Sequence, residues 1–205
     1  MASIRRPRSA SPSGPRCSRL PAKPCASPKG WRIPLNRPHS RCDSMAFMKI
    51  VKADLTDVRH QTALMEMVEA FSADAFGANQ PLPKPVREQL IDGLRAHPTT
   101  LVFLALEDEA PIGMAICFRT FSTFSARPAI NIHDFFVSEH ARGRGISRAL
   151  LDAIEEEARA SDCCKLTLEV LAQNERARSV YHAAGFSHAA ADESPGGTLF
   201  YTRSL

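Results

Sequence analysis

Hydrophobic and polar positions follow two different periods along residues 45–205, and the changes of period mark the predicted elements. Apolar residues recur at helical spacing over residues 57–75, 85–96, 144–160 and 176–184. Stretches rich in β-branched and aromatic residues predict strands at residues 48–53, 99–107, 111–121, 130–137, 165–171, 186–190 and 199–203. This pattern predicts an α+β fold with a mixed sheet of six to seven strands and about four helices.

The order of the elements predicts how the strands connect. A tight turn at residues 108–110 joins the second and third strands as a hairpin. The helix at residues 144–160 is long enough to form the crossover that a parallel pair needs, so we expect the strands on either side of it to be parallel. The pattern turns Val86, Leu90, Ile91 and Leu94 of the second helix inward and turns Asp152, Glu155, Glu156 and Glu157 of the third helix to solvent.

The first 44 residues differ in composition from the rest of the chain. They contain eight prolines, eight serines and eight arginines, with few large apolar side chains. Such a segment buries too little apolar surface to offset the entropy lost on ordering. We predict a disordered basic tail at residues 1–44 and one domain at residues 45–205. The tail fits a targeting leader or a misassigned start upstream of Met45 or Met48, and we favour the misassigned start.

Charge and cysteine usage narrow the classes of function. Residues 1–44 carry ten basic residues and one acidic residue, whereas residues 45–205 carry 16 basic and 21 acidic residues. The domain is therefore mildly acidic, and we expect no nucleic-acid partner. The six cysteines include no CxxC pair, so we expect a reduced, cytoplasmic protein without a metal site. No apolar run approaches the ~18 residues of a membrane span, and no membrane partner is expected.

Residues 130–147 carry the pattern with the clearest chemical meaning. An apolar strand ends at Val137, a polar turn follows, and Gly143 and Gly145 precede a helix. The first amides of a helix lack internal partners and point along the positive end of the helix dipole. Arg142 and Arg144 add charged donors at the same place. We therefore predict that a pyrophosphate or a similar anion binds over residues 142–147.

Two common phosphate-binding motifs do not fit these residues. No Gly-Lys-Ser/Thr sequence follows the glycines, as a P-loop requires. Arg148 stands where a dinucleotide fingerprint has its third glycine. The segment Arg142-x-x-Gly145-x-Ser147 instead resembles the acyl-CoA signature Gln/Arg-x-x-Gly-x-Gly/Ala of the Gcn5-related N-acetyltransferases (GNAT), with Ser147 at the last position. Residues 174–186 (NERARSVYHAAGF) look like the closing motif of the same family.

The resemblance covers about residues 48–205 and implies a GNAT-like acyl-CoA N-acyltransferase fold with acetyl-CoA as the co-substrate. It implies that the two parallel strands splay apart and that the cofactor lies in the gap. Backbone groups of Phe136 and Val137 would hold the pantetheine and polarise the acetyl carbonyl, and Asn174 and Tyr181 would lie near the cofactor arm. The pyrophosphate would bind at Arg142, Gly143, Arg144, Gly145, Ile146 and Ser147.

The resemblance also implies that Tyr181 is the acid that protonates the departing thiolate. A phenol with a pKa of about 10 suits a thiolate with a pKa of about 8.5 to 10, because the proton transfer is nearly balanced. The base for the ammonium acceptor stays open between His133, Asp134 and Glu169. His133 and Asp134 are neighbours on one strand, so only one of them can face the pocket unless the strand contains a bulge.

These patterns predict an acetyl-CoA-dependent N-acetyltransferase that acts on a primary amine of a small, polyamine-like molecule by direct attack in a ternary complex. The polyamine-like acceptor follows from a resemblance to diamine acetyltransferases around Asp134. A peptide or protein amine is the alternative acceptor, because no dense acidic cluster is visible. A non-catalytic acyl-CoA-binding regulatory domain is the alternative of a different class. Dimers are frequent in the family, so a homodimer is also an expectation.

Overall fold

The computed structural model describes residues 47–189 and 197–205, and the predicted tail at residues 1–44 lies outside them. The described helices are α1 (Val58–Ala73), α2 (Lys84–Ala96), α3 (Ile146–Ala160) and α4 (Glu175–Ala183). The described strands are β1 (Met48–Lys52), β2 (Thr100–Glu107), β3 (Ala110–Ser122), β4 (Arg127–Val137), β5 (Lys165–Leu171), β6 (Ser187–His188) and β7 (Thr198–Ser204).

The described strands form a single mixed sheet in the order β1-β2-β3-β4-β5-β7-β6. Neighbouring strands are antiparallel except β4 and β5, which are parallel and are connected through α3. The hairpin between β2 and β3 turns at Asp108 and Glu109, whose φ angles of 47° and 70° match the twist of a two-residue turn. The predicted α+β fold, with its crossover between two parallel strands, is confirmed.

Helices cover both faces of the sheet and divide the core into two layers. Leu64 and Met67 of α1 pack on one face against Leu104 and Met114 of the sheet. On the other face, α3 packs against the sheet through a row of buried apolar residues at helical spacing, and α4 adds Tyr181 to the same layer. In each of these helices, the residues that recur at apolar spacing in the sequence are therefore the ones that pack against the sheet.

Two predicted helix faces differ in part from the structure. On α2, Ile91 and Leu94 are half-buried and pack against the core as predicted, whereas Val86, which was predicted to face inward, is 43% exposed. On α3, Glu155 and Glu157 were predicted to be solvated but are largely covered. Glu155 pairs with Arg203 at 2.7 Å, and Glu157 accepts a hydrogen bond from Lys52 at 2.8 Å. These partners lie on strands far away in sequence, so the local pattern cannot reveal them.

The N-cap of α1 is Asp57, whose carboxylate accepts a hydrogen bond from the Arg59 amide at 2.8 Å. In the preceding turn, Asp54 accepts hydrogen bonds from the amide and the hydroxyl of Thr56. None of the helices within residues 47–189 and 197–205 is both long and apolar enough to cross a membrane.

Candidate active site

The gap between β4 and β5 is the main feature of the candidate site. Their parallel pairing runs from Ile130–Leu166 to Ile132–Leu168 and then stops, although both strands continue to Val137 and Leu171. Beyond this point the edge of β4 that faces β5 has no strand partner, so its backbone groups are available to a ligand. A cavity of about 430 Å³ occupies the gap and is also bordered by α4 and by the end of α1.

A β-bulge in β4 sets the orientation of the candidate bases. Ile116 of β3 pairs with Asp134 and Cys117 pairs with Ile132, which leaves His133 as the extra residue. His133 lines the cavity, whereas Asp134 is half-buried beside it and is not part of the lining. The bulge therefore removes the simple alternation that the sequence pattern assumes at this position.

Asp134 is held in a poorly solvated environment without a hydrogen-bond partner among the described residues. Burial raises the pKa of this carboxyl above its ordinary value of 3.8, and the neighbouring His133 acts in the opposite direction. A half-buried carboxylate without a hydrogen-bond partner costs folding free energy, so such a group is a candidate for a functional role.

Tyr181 of α4 is buried but borders the cavity, with only 6% of its surface exposed. Its ring packs edge-on against Phe135 at 5.9 Å and against Tyr201 at 6.5 Å between centroids. The Tyr181 hydroxyl bonds to no other described residue. Burial raises the pKa of this phenol, so the group stays protonated at neutral pH but is a weaker acid than the balanced proton transfer expected from the sequence requires.

The turn before α3 forms the candidate anion site. Gly143 and Gly145 have φ angles of 78° and 81°, in the left-handed region that glycine tolerates, and Gly145 is the N-cap of the helix. A second cavity of about 220 Å³ is lined by the start of α3, including Ile146 and Ser147. The unpaired first amides of α3 therefore lie beside an open cavity, which is the arrangement that binds phosphate groups.

The arginines around this turn have different positions. Arg142 lines both cavities, donates Nε–H to the Val137 carbonyl at 2.9 Å and pairs with Asp74 at 2.8 Å. Arg144 lines neither cavity, because its guanidinium pairs with Glu107 of β2. Arg148, which the sequence analysis did not include in the site, lines the smaller cavity. The structure therefore brings Arg142 and Arg148 to the candidate anion site and turns Arg144 away from it.

The remaining predicted site residues lie around the larger cavity. Phe136 is buried, and the Arg142 guanidinium lies 5.7 Å from the centre of its ring. Asn174 is the N-cap of α4, since its side chain accepts a hydrogen bond from the Ala177 amide at 3.1 Å. Glu169 is exposed on β5 and borders the gap. The residues predicted to lie along the cofactor and two of the three candidate bases, His133 and Glu169, thus surround one cavity.

Asp74 was missed by the sequence analysis. It is the C-cap of α1, where one carboxylate oxygen accepts a hydrogen bond from the Phe76 amide at 3.0 Å and the other pairs with Arg142. Sixty-eight residues separate Asp74 from Arg142, and no local pattern marks the contact. The described residues also contain no group of three or more His, Cys, Asp or Glu side chains that could hold a metal ion.

Comparison with known proteins places this geometry in a family. The sequence profile described as the Acetyltransferase (GNAT) family matches residues 64–186, which is more than half of the chain. The chain belongs to the GNAT acetyltransferase family. The predicted family resemblance is therefore confirmed, and the gap between β4 and β5 is a feature of this GNAT domain.

Two curated relatives and one solved structure illustrate how similar the GNAT domain is to known members. An uncharacterized N-acetyltransferase, YhfO of Bacillus subtilis, is 32% identical over 87 residues, which are 42% of this chain and 58% of the relative. A thialysine N-epsilon-acetyltransferase of Bos taurus is 29% identical over 119 residues, 57% of this chain and 62% of the relative. The matches thus span less than two thirds of either relative.

The crystal structure of a probable acetyltransferase superposes with a TM-score of 0.61 at 24% identity, covering 71% of this chain and 94% of the other. At this identity the likeness establishes the fold alone, and it agrees with the seven-stranded mixed sheet.

Proposed function

We propose that this protein transfers the acetyl group of acetyl-CoA to a primary amine of a small molecule. The observation that carries the proposal is the cavity between β4 and β5, which is bordered by Gly143 and Ser147 at the start of α3 and by Tyr181 and His133. Membership of the GNAT family and relatives named as N-acetyltransferases support it.

The residues around the two cavities fit the parts of acetyl-CoA. The amides of Ile146 and Ser147 receive the pyrophosphate, and the Arg142 and Arg148 side chains supply positive charge beside it. The free edge of β4 at Phe136 and Val137 offers backbone groups to the pantetheine, as β5 no longer occupies it. Asn174 borders the same cavity and orients the start of α4.

Three proton transfers accompany the acetyl transfer in this proposal. The amine nitrogen attacks the thioester carbonyl, the carbon–sulfur bond breaks, and the Tyr181 hydroxyl donates its proton to the departing thiolate. The proton that the nitrogen loses as the amide forms returns the Tyr181 phenolate to its hydroxyl form. The acceptor must first lose a proton from its ammonium form. We assign this step to His133 and Asp134 together, because His133 lines the cavity and the pKa of the adjacent Asp134 is raised toward the working range of a base. Glu169 is the alternative.

The small, polyamine-like acceptor is the finer part of the proposal. It is supported by the relative named as a thialysine N-epsilon-acetyltransferase and by Glu169, a carboxylate that could pair with an ammonium at the cavity. A cytoplasmic location rests on cysteine usage alone, and a homodimer rests on the family resemblance alone.

The proposal is tested by following release of the CoA thiol when the full chain is mixed with acetyl-CoA and each of several amines. The amines are 1,4-diaminobutane, thialysine, phenethylamine and a short peptide with a free N-terminus. We expect turnover with at least one small amine, and a loss of turnover in Tyr181→Phe. Binding of acetyl-CoA without turnover of any amine would indicate the regulatory domain instead, and turnover of the peptide alone would indicate a peptide acetyltransferase.

A further inference from the structure

A groove between α2 and β3 lies outside the acetyl-transfer cavity and has a volume of about 460 Å³. Its lining is apolar except for one amide and one imidazole, and consists of Val86, Gln89, Leu90, Gly93, Leu94, His97 and Phe118. For comparison, an apolar cavity of about 150 Å³ is enough to bind benzene. The apolar side of α2 is therefore open to a ligand of the size of an aromatic ring.

Gly93 is the residue of α2 that the fold does not explain. Glycine is the poorest helix former after proline, and Gly93 lies in the interior of the helix with no left-handed φ angle. A methyl group at this position would meet no atom within 4 Å, so no close packing requires glycine. The missing side chain leaves room in the groove, since Gly93 forms part of the groove wall.

A row of three aromatic rings connects the groove to the transfer cavity. His97 at the end of the groove packs edge-on against Phe118 with 5.2 Å between ring centres. Phe118 in turn packs against His133 at 5.4 Å, and His133 lines the cavity between β4 and β5. The groove and the cavity are thus separate but adjacent, since Phe118 of the groove lining contacts His133 of the cavity lining.

The cavity and the groove differ in charge, and this difference separates diamine acceptors from amines with an apolar substituent. His133, Asp134 and Glu169 lie at or beside the cavity and can hold one ammonium. Among the residues that the structure describes, the groove lining has no carboxylate, so a second ammonium placed there would lose water without gaining a partner. An apolar substituent in the same place would instead release water from Leu90, Leu94 and Phe118.

We infer that the groove binds the apolar substituent of the acceptor, which makes the acceptor a primary amine joined by a short chain to an aromatic or aliphatic group. This inference rests on the proposed acetyl transfer to a small primary amine. It replaces the polyamine-like acceptor with one that carries an apolar group, in place of a second ammonium, far from the reacting nitrogen.

The test compares phenethylamine with 1,4-diaminobutane as acceptors for the full chain and for Gly93→Leu. The leucine side chain enters open space and improves helix propensity, so the variant should melt at a higher temperature while its groove is filled. Glu88→Leu is the matched control, because it places the same leucine side chain on α2 at an exposed residue that does not line the groove.

We expect phenethylamine to have a kcat/KM about tenfold or more above that of 1,4-diaminobutane. Gly93→Leu should lower kcat/KM for phenethylamine by about tenfold and leave that for 1,4-diaminobutane within about twofold, whereas Glu88→Leu should change neither. Equal use of both amines, or an equal loss of both in Gly93→Leu, would overturn the inference.

Equilibrium binding separates a failure of this inference from a failure of the proposed function. If no amine is acetylated, the proposed function fails, but calorimetric titration of phenethylamine still reports on the groove. Binding that is lost in Gly93→Leu and retained in Glu88→Leu supports the groove as an apolar site. Absence of binding to the unmutated chain, or equal binding to all three proteins, refutes it.

Discussion

Replacement of Arg142 by alanine should weaken acetyl-CoA binding far more than the same replacement of Arg144. Arg142 borders both cavities, whereas Arg144 lines neither and pairs with Glu107. A hydrogen bond to a charged group is worth about 1.5 to 3 kcal/mol, which corresponds to about 10- to 100-fold in the dissociation constant. Solvent screens the exposed pair between Arg144 and Glu107, so Arg144→Ala should change the dissociation constant by less than about threefold.

A change in the loop after α1 is the competing explanation for an effect of Arg142→Ala. Arg142 pairs with Asp74, so its removal leaves that carboxylate with only the Phe76 amide as partner. Asp74→Asn separates the two explanations, because asparagine keeps an oxygen for the Phe76 amide but releases Arg142 from its carboxylate. Direct phosphate binding by Arg142 predicts that Asp74→Asn binds acetyl-CoA as well as or better than the unmutated protein.

Isothermal calorimetry with acetyl-CoA on the three variants measures these differences, and thermal melting shows whether each variant is folded. The assignment of Arg142 is refuted if Arg142→Ala binds within about threefold of the unmutated protein, or if Arg144→Ala loses as much affinity as Arg142→Ala. If Asp74→Asn reproduces the loss seen in Arg142→Ala, the arginine acts by holding the loop and not by binding phosphate.

Three further predictions concern catalysis and stability. Tyr181→Phe keeps the buried ring but removes the acid, so kcat should fall about 100-fold or more while acetyl-CoA affinity stays within about twofold; an unchanged kcat in steady-state kinetics would exclude the acid role. Asp134→Asn should slow acetyl transfer yet raise the melting temperature at pH 7. Because the pKa of Asp134 is raised in the folded state, the stability of the unmutated protein falls as the pH rises from about 4 through that folded pKa. The gain in melting temperature of Asp134→Asn should therefore vanish near pH 4. A lower melting temperature of the variant at pH 7 would contradict this prediction. Glu157→Gln should cost about 1 to 3 kcal/mol at pH 7 in urea unfolding. Hydrogen bonding to Lys52 lowers the pKa of Glu157 below 4.5, so this contribution should be lost as the pH falls through the folded pKa, and a loss that is independent of pH would argue against it.

The arrangement of helices and strands could be predicted because local periodicity and packing agree along most of the chain. The strand predicted at residues 165–171 has the same limits in the structure, since its leucines and valine alternate with polar residues at the period of a strand. The crossover at α3 was predictable from its length and from the glycines before it. Gly185 after α4 was also predictable as a helix end, and its φ angle of 86° fits this role.

The details of the candidate site depend on contacts that span long stretches of sequence. The bulge at His133 is a property of the pairing between β3 and β4, and two adjacent polar residues do not reveal which of them is the extra one. Arg144 and Arg148 both lie within three residues of Gly145, so the sequence does not distinguish them. The contact of Arg144 with Glu107, 37 residues earlier, is what turns Arg144 away from the candidate anion site. Sequence reasoning can therefore locate the candidate anion site and name Arg142, but it cannot tell that Arg148 and not Arg144 lines the cavity there.

Several residues of this chain are poor choices for stability, and they lie beside the groove and the cavity. His133 interrupts the pairing of β4, Asp134 is a half-buried carboxylate, and Gly93 weakens α2. In the proposed function, each substitution that would favour folding has a physical counterpart in lost binding or lost proton transfer. A protein under selection for stability alone would not keep three such residues beside one groove and one cavity, so their positions support the proposal that the acceptor binds there.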